Sequence, residues 1–465
     1  MAGTFSSFGA ALSALRYNRT AMDIASGNIA NASTPGYARR SVIGQTVGVP
    51  STPALWSRND GDPLGVTASR IDRMTNPLVD ARSRAEHGIL AYADSRAAAL
   101  QRFENTLGEP GEHGVAAALA DFKAGWADLA NAPDDGAARS QLIARANTLV
   151  TAIGKQAGNV ATEWTSQRER LVALAEEANT VSAQLVDVNE NLRLSHLSGE
   201  DPGPLLDQRD QLAMALAELT GGTVDILEDT TVDIRVGGQL LVQGYGDNRP
   251  LAPGAQALTV GGPATFDGAD TADLTVQVGG SDVTLGGGDL RASQQVANDD
   301  LPGYLGELDA FVTTLADGVN ALHGTARTPG GAIGGDFFSF DVDHAAASLS
   351  VAVDADGVAA AAAGAGKFDG SIADQISAAE LGAPAYRDLV SGLGATVAAA
   401  TGTAESQALF TAQVDASRES ISGVNLDEEM INLLTAQRAY EGASRVLTTL
   451  DSMLDTLINR TGIGR

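Results

Sequence analysis

The chain has 465 residues, too long for one ordinary hydrophobic core, and two to four domains are expected. Hydrophobic residues at 44% supply those cores, while aromatics at only 5% leave the helices to pack through small side chains. A balance of 30 Lys and Arg against 58 Asp and Glu excludes nucleic acid and anionic membranes as partners by repulsion, and the absence of cysteine excludes disulfides, thiolate catalysis and Cys-bound zinc.

The first segment reads as a helix. Phe5, Phe8, Leu12, Leu15, Met22 and Ile29 recur at a 3-4 spacing, with Arg19 and Ser26 completing a coiled-coil-like seam. The seam stops before Thr34-Pro35-Gly36, where the proline pushes Thr34 out of the helical region and Pro-Gly suits the centre of a type II turn. The first 60 residues carry Arg16, Arg19, Arg39, Arg40 and Arg58 against Asp23 and Asp60, a basic segment that could meet acidic neighbours or simply be solvated. No basic flank followed by an apolar block marks a general secretory signal, and no apolar run approaches the ~20 residues that span a bilayer.

Residues 44–85 scatter Gly, Pro, Ser and Asn and are expected to be extended chain or short strands. Helical pieces follow from about Glu86 to Ser198. The clearest carries Trp164, Leu171, Leu174, Ala178, Val181, Leu185, Val188 and Leu192 in nearly unbroken heptads. The period then changes to two. Val224 with Ile226, Val232 with Ile234 and Val236, and Leu274 with Val276 and Val278 alternate with polar residues around Gly-Gly pairs, the pattern of antiparallel hairpins over about 221–290. Helical spacing returns at Leu301 and runs to Leu322. Residues 324–385 are Gly-rich, with a strand expected at Leu349 to Val353. A helix is expected over Ala385 to Ile421. The last segment places Leu426, Met430, Leu433, Tyr440, Leu447, Leu454 and Ile458 on a second heptad seam.

The expected fold is α+β and multidomain, in three parts. They are a terminal helical pair (1–43 with 424–465), an elongated helical bundle with short strands (44–220 with 291–423), and an inserted antiparallel β domain (221–290) projecting from the far end.

No enzyme is visible. Asp207 and Asp210 share a helical face beside Arg209, but no histidine or nucleophile is patterned with them, so ion pairing is the expected role. His87, His113, His196, His323 and His344 form no metal-binding spacing, and His323 reads as a helix-end residue. Asp336, Asp341, Asp343 and His344 lack the rest of a calcium loop and read as a solvated acidic turn. No cofactor is expected.

The run from Asn28 through Asn31-Ala32-Ser33-Thr34-Pro35-Gly36-Tyr37 resembles the N-terminal signature of flagellar rod, hook and hook-associated axial proteins. Gly423 to Glu429, Asn432-Leu433-Leu434 and Ala436 to Tyr440 resemble their C-terminal signature. Pro204 to Leu212, Leu301-Pro302-Gly303, Val319-Asn320, His323-Gly324 and Gly335-Asp336-Phe337-Phe338 are similar to the internal pattern of the hook-associated protein 1 family. The resemblance implies a structural adaptor at the hook–filament junction that assembles with itself in a helical ring. It implies partners in the hook protein, the second junction protein and an export chaperone on the C-terminal helix. It also implies export through the flagellar type III apparatus to the extracellular flagellum, without a cleaved signal peptide and without membrane insertion. The family-signature turn would be Asn31, Thr34, Pro35, Gly36 and Tyr37, and the two seams would be the assembly interface. Neither end can bury its seam on the other alone, so the ends are expected to order fully only in the assembly. Two alternatives remain: a hook or rod subunit, which the internal motifs argue against, and a flagellum-associated cell-wall hydrolase, which would need a catalytic constellation.

Overall fold

The computed structural model describes residues 2–47, 65–198, 201–245 and 254–456. In chain order the elements begin with α1 (Ala2–Ala30), β1 (Arg40–Thr46), β2 (Val66–Arg73), α2 (Pro77–Leu107), α3 (Val115–Asn131), α4 (Gly136–Ser198) and α5 (Gly203–Thr220). Seven short strands follow: β3 (Thr223–Ile226), β4 (Val232–Val236), β5 (Gln239–Gln243), β6 (Gly254–Ala255), β7 (Leu258–Gly261), β8 (Thr275–Val278) and β9 (Ser281–Val283). The remainder is α6 (Gly288–Gln295), α7 (Leu301–His323), β10 (Phe338–Ser339), α8 (Ala345–Ser348), β11 (Ser350–Val351), α9 (Ser371–Ala378), α10 (Ala383–Ser422) and α11 (Leu426–Asp455).

The two ends pair. Asn28, near the end of α1, meets Glu429, near the start of α11, so the helices run antiparallel along each other. The β1–β2 hairpin lies on α1, with the Val66 amide donating to the Ser13 hydroxyl at 3.2 Å. A boundary drawn between residues 43 and 44 therefore falls inside β1. Part of the stretch expected to be extended is helical: α2 starts at Pro77, not Glu86. The Asn76 side chain accepts from the Leu78 amide at 3.0 Å and Pro77 supplies a preset φ, so Asn-Pro here is a helix start rather than a loop.

The helix α4, 63 residues long, fuses the sequence pieces into one rod. Its expected core positions from Trp164 to Leu192 are buried except Val181, which is half-buried, and Leu142, Leu149, Ile153 and Val160 extend the buried stripe. Each large apolar side chain among them contributes on the order of 1.5–3 kcal/mol. One end packs with α3, α7 and α9 around Phe122, Trp126, Phe311 and Phe337. The other carries two antiparallel sheets, ordered β3-β4-β5-β6 and β7-β8-β9.

The strands β3 to β9 of the segment expected to project from the far end instead lie along α4 and share its hydrophobic core. Two side-chain amides on α4 explain the attachment. Asn189 exchanges two bonds of 3.0 Å with the backbone of Val232, and Asn179 exchanges two of 2.8 Å with Leu258, so each stands in for a strand neighbour. The Gly237-Gly238 and Gly279-Gly280 turns have positive φ throughout, as two-residue hairpins with the right-handed strand twist require.

Helix begins again at Gly288, earlier than Leu301, and passes through a π-helical turn at 296–300 into α7. The expected strand near Leu349 shortens to β11, and α9 was not expected at all. Finally, α2 and α10 pack antiparallel through Ala93, Ala97 and Leu100 against Val397, Ala400 and Ala404.

Candidate assembly site

The turn after α1 is built from its own side chains. Asn31 donates to the Gly27 carbonyl at 2.8 Å and so extends the helix end. Thr34 donates its amide to the Asn31 carbonyl at 2.9 Å, and its hydroxyl lies 3.4 Å from the Asn31 side-chain oxygen. The Tyr37 amide then closes on the Thr34 carbonyl at 3.2 Å, with Pro35 and Gly36 at the centre. Gly36 has φ +76°, the value that the third position of a type II turn requires. The Gln211 side chain on α5 donates to the Pro35 carbonyl, and a Cβ at residue 36 would come within 2.7 Å of it.

This turn aims Tyr37 back at α1. Its hydroxyl donates to the Asn28 side-chain oxygen at 2.8 Å, and burial, only partly offset by Arg40, pushes its pKa up so that it stays a neutral donor. Asn28 is wholly buried and makes four bonds. It accepts from Tyr37 and from the Arg40 amide at 3.0 Å, and it donates to the Arg40 carbonyl at 2.8 Å and to Glu429 at 3.0 Å. Glu429, 3% exposed, also takes the Arg39 guanidinium at 2.8 Å. The Arg39 amide donates to the Ser422 carbonyl at 2.9 Å, just before the break between α10 and α11. Arg40 and Arg73 both pair with Asp207, at 2.7 and 2.6 Å, and Arg73 and Arg209 share Asp210, at 3.0 and 2.6 Å. Asp207 and Asp210 are thus ion-paired. Arg39 and Arg40 pair with acidic residues of their own chain. Such a buried charged network specifies one geometry more than it adds net stability.

The seam residues, expected to form the assembly interface, are partly covered by the pairing and partly exposed. The buried positions of the pair are small or polar: Ala11, Ala25 and Asn28 on α1, Glu429 and Ala436 on α11. Phe8 and Leu12 are each 36% exposed, Leu426 and Met430 are 50% and 54% exposed, and Tyr440 is 37% exposed. Leu15, Met22, Ile29, Leu433, Leu447 and Leu454 are half-buried. The side chain of Phe5, and Ile458 altogether, lie outside the described residues. Ile431 and Leu434 widen the exposed stripe at 63% and 50%. The helices approach through alanines because small side chains permit close backbones, and that leaves Phe8, Leu12, Leu426, Met430, Ile431 and Leu434 exposed. Asn28, Arg39, Glu429 and Gln211 are the residues that the seam reading passed over. Asn28 and Glu429 sit inside the two signature stretches, and a polar residue within an apolar repeat was the available signal.

Among the described residues no group of three His, Asp or Glu side chains could hold a metal ion, and no helix is long and apolar enough to cross a membrane. His323 ends α7 and is wholly buried. Its Nδ1 lies 2.6 Å from the Gly335 carbonyl and its Nε2 accepts from the Ala359 amide at 2.9 Å. Burial pushes its pKa down, so it is a neutral brace. The nearby Asn320 accepts from the amides of Phe337 and Phe338, at 2.8 and 2.9 Å, which ties the Gly335–Phe338 motif to α7.

Residues 100–338, just over half of the chain, match the family described as the flagellar hook-associated protein FlgK helical domain. The chain belongs to the FlgK family. Residues 8–37 also match the flagella basal body rod protein family, and residues 417–460 the C-terminal family of the basal body rod FlgEFG proteins. Flagellar hook-associated protein 1 of Bacillus subtilis is 25% identical, with both chains covered in full. The proteins of that name from Salmonella typhimurium and Escherichia coli are each 24% identical over 71% of this chain, covering 58% and 59% of their own lengths. The structure of the flagellar hook junction protein FlgK from Burkholderia pseudomallei superposes with a TM-score of 0.63 at 15% identity. It covers 74% of this chain and 100% of its own, a likeness of fold. As a FlgK-family member the chain is a structural protein of the hook–filament junction and a component of the extracellular flagellum.

Proposed function

We propose that the paired ends are the assembling part of the molecule and that the junction is built by stacking them side by side in a helical ring. The carrying observation is the outward stripe of Phe8, Leu12, Leu426, Met430, Ile431 and Leu434, all at least 36% exposed on two helices already paired with each other. An apolar face of that kind is stable in water only when a neighbour covers it, and neighbouring copies in a head-to-tail array supply the cover. The ends order fully only there.

In this reading the ring meets the hook protein on one side and the second junction protein on the other. An export chaperone holds the C-terminal helix beforehand, and the subunit leaves by the flagellar type III route. The molecule catalyses nothing and needs no metal or cofactor. It works as a terminal body, α1 and the β1–β2 hairpin with α11, and a bundle of the inner helices that carries the strands β3 to β9. Immunogold labelling of isolated flagella tests the placement. A single band at the hook–filament boundary is expected, and label along the whole hook would refute it.

A further inference from the structure

His87 lies on α2 where that helix meets α5, α10 and the signature turn, and it lines an open cleft of about 510 Å3 beneath Thr34–Tyr37. Its Nδ1 lies 3.0 Å from Glu218 on α5, and its Nε2 lies 2.9 Å from Asp415 on α10. A carboxylate can only accept, and a neutral imidazole has one donor. Both contacts are therefore satisfied together only by the doubly protonated ring.

The other charges around the ring are committed elsewhere or acidic. On α10, Arg418 pairs with Asp80 at 2.9 Å, and Glu419 adds a carboxylate to the cleft. On α5, Asp210 is held by Arg73 and Arg209. On α2, Glu86 holds Gln407 and lies 3.6 Å from Arg82, and Ser83 donates to the second oxygen of Asp415 at 2.9 Å. The turn brings Tyr37, a neutral hydroxyl.

We propose that His87 is a proton-dependent clamp that locks α10 to α5 and so fixes the joint from which the terminal helices leave the bundle. The proposal rests on the reading of those helices as the assembling part. The connection is short: α10 ends at Ser422, whose carbonyl takes the Arg39 amide, and α11 starts at Leu426. When His87 loses its proton, one ring nitrogen turns a lone pair on a carboxylate. The α5–α10 link opens and the joint gains freedom. Glu218 above all, with Asp415, pushes the His87 pKa up against the effect of burial. The closed joint therefore holds more protons than the open one. Its opening constant rises about tenfold per pH unit from 6.5 until the closed-state pKa is passed.

The test uses the full chain labelled with 13C-histidine. The His87 resonance, assigned by its loss in His87→Gln, is expected to titrate above 6.5 and to fall toward 6.5 in Glu218→Gln. Amide exchange over 415–422, corrected for its intrinsic pH dependence, is expected to steepen above pH 6.5 in the wild type and to lose that slope in His87→Gln and Glu218→Gln. A midpoint at or below 6.5, or equal slopes in all three proteins, overturns the clamp. Neither result touches the seam reading, which stands or falls on assembly of the seam variants.

Discussion

Asn28 and Glu429 stand 401 residues apart in the chain and 3.0 Å apart in the molecule, both almost fully buried. This bond joins the first helix to the last, and around it Tyr37, Arg39 and Arg40 fasten the turn and the hairpin to the same point.

Replacing Asn28 with Ala strands the Glu429 carboxylate and the Arg40 backbone, at a local cost of about 1–3 kcal/mol. Since the bundle core uses none of these groups, its melting temperature should hold. Amide exchange over 426–436 should accelerate by one to two orders of magnitude, and assembly should weaken. Unchanged exchange there would show that the α1–α11 pairing does not depend on this bond.

Gly36→Val should be far more harmful than Ser33→Ala. Valine resists a φ of +76°, and its Cβ would press on the Gln211 side chain, whereas Ser33 is exposed. The cost is roughly 1–3 kcal/mol at the turn. Motility and monomer melting read it: swimming is lost while the bundle melts normally. Normal swimming by Gly36→Val means that the turn geometry is dispensable.

Leu434→Asp and Leu454→Asp should leave the monomer folded, because neither side chain belongs to a core cluster. In a ring each would bury an unpaired charge at a cost of several kcal/mol. Cells should then carry hooks without filaments and release filament protein into the medium. If both variants make filaments of normal length, neither the C-terminal seam nor the exposed stripe beside it is the interface.

The bundle should also weaken in mild acid through His323. Its folded pKa lies below the unfolded value of about 6.5, so the unfolded chain takes the proton first. The stability it contributes is fully present above 6.5 and falls with pH below it, by up to tenfold in the folding constant per unit. Trp126 fluorescence, reporting from a ring 6.1 Å away, follows the transition. In His323→Gln the melting temperature should start lower and depend less on pH between 6.5 and 5. An undiminished acid dependence in that variant assigns the effect to other groups.

The sequence by itself determined whatever obeys a local period or a local dihedral rule. The burial of α4 from Leu142 to Leu192, the hairpins around paired glycines, the extent of α10 and the positive φ of Gly36 all follow from neighbours within one or two turns of chain. Its signatures also marked the turn and the family. Only the tertiary structure decided which faces touch. The two terminal seams, each apolar every third or fourth residue, gave no sign of which of their residues the pairing would cover. The helices meet most closely through Ala11, Ala25 and Ala436, since close approach of two backbones favours the smallest side chains and leaves Leu12, Leu426 and Leu434 exposed. The β insert looked free to project because nothing in a strand pattern says what lies beneath it, and it was Asn179 and Asn189 on a distant helix that bound it to the bundle. Likewise a polar Asn or Glu within an apolar repeat marks itself as unusual but does not say which residue it will meet. Burial made them a pair, because each had to find a hydrogen-bonding partner once water was excluded.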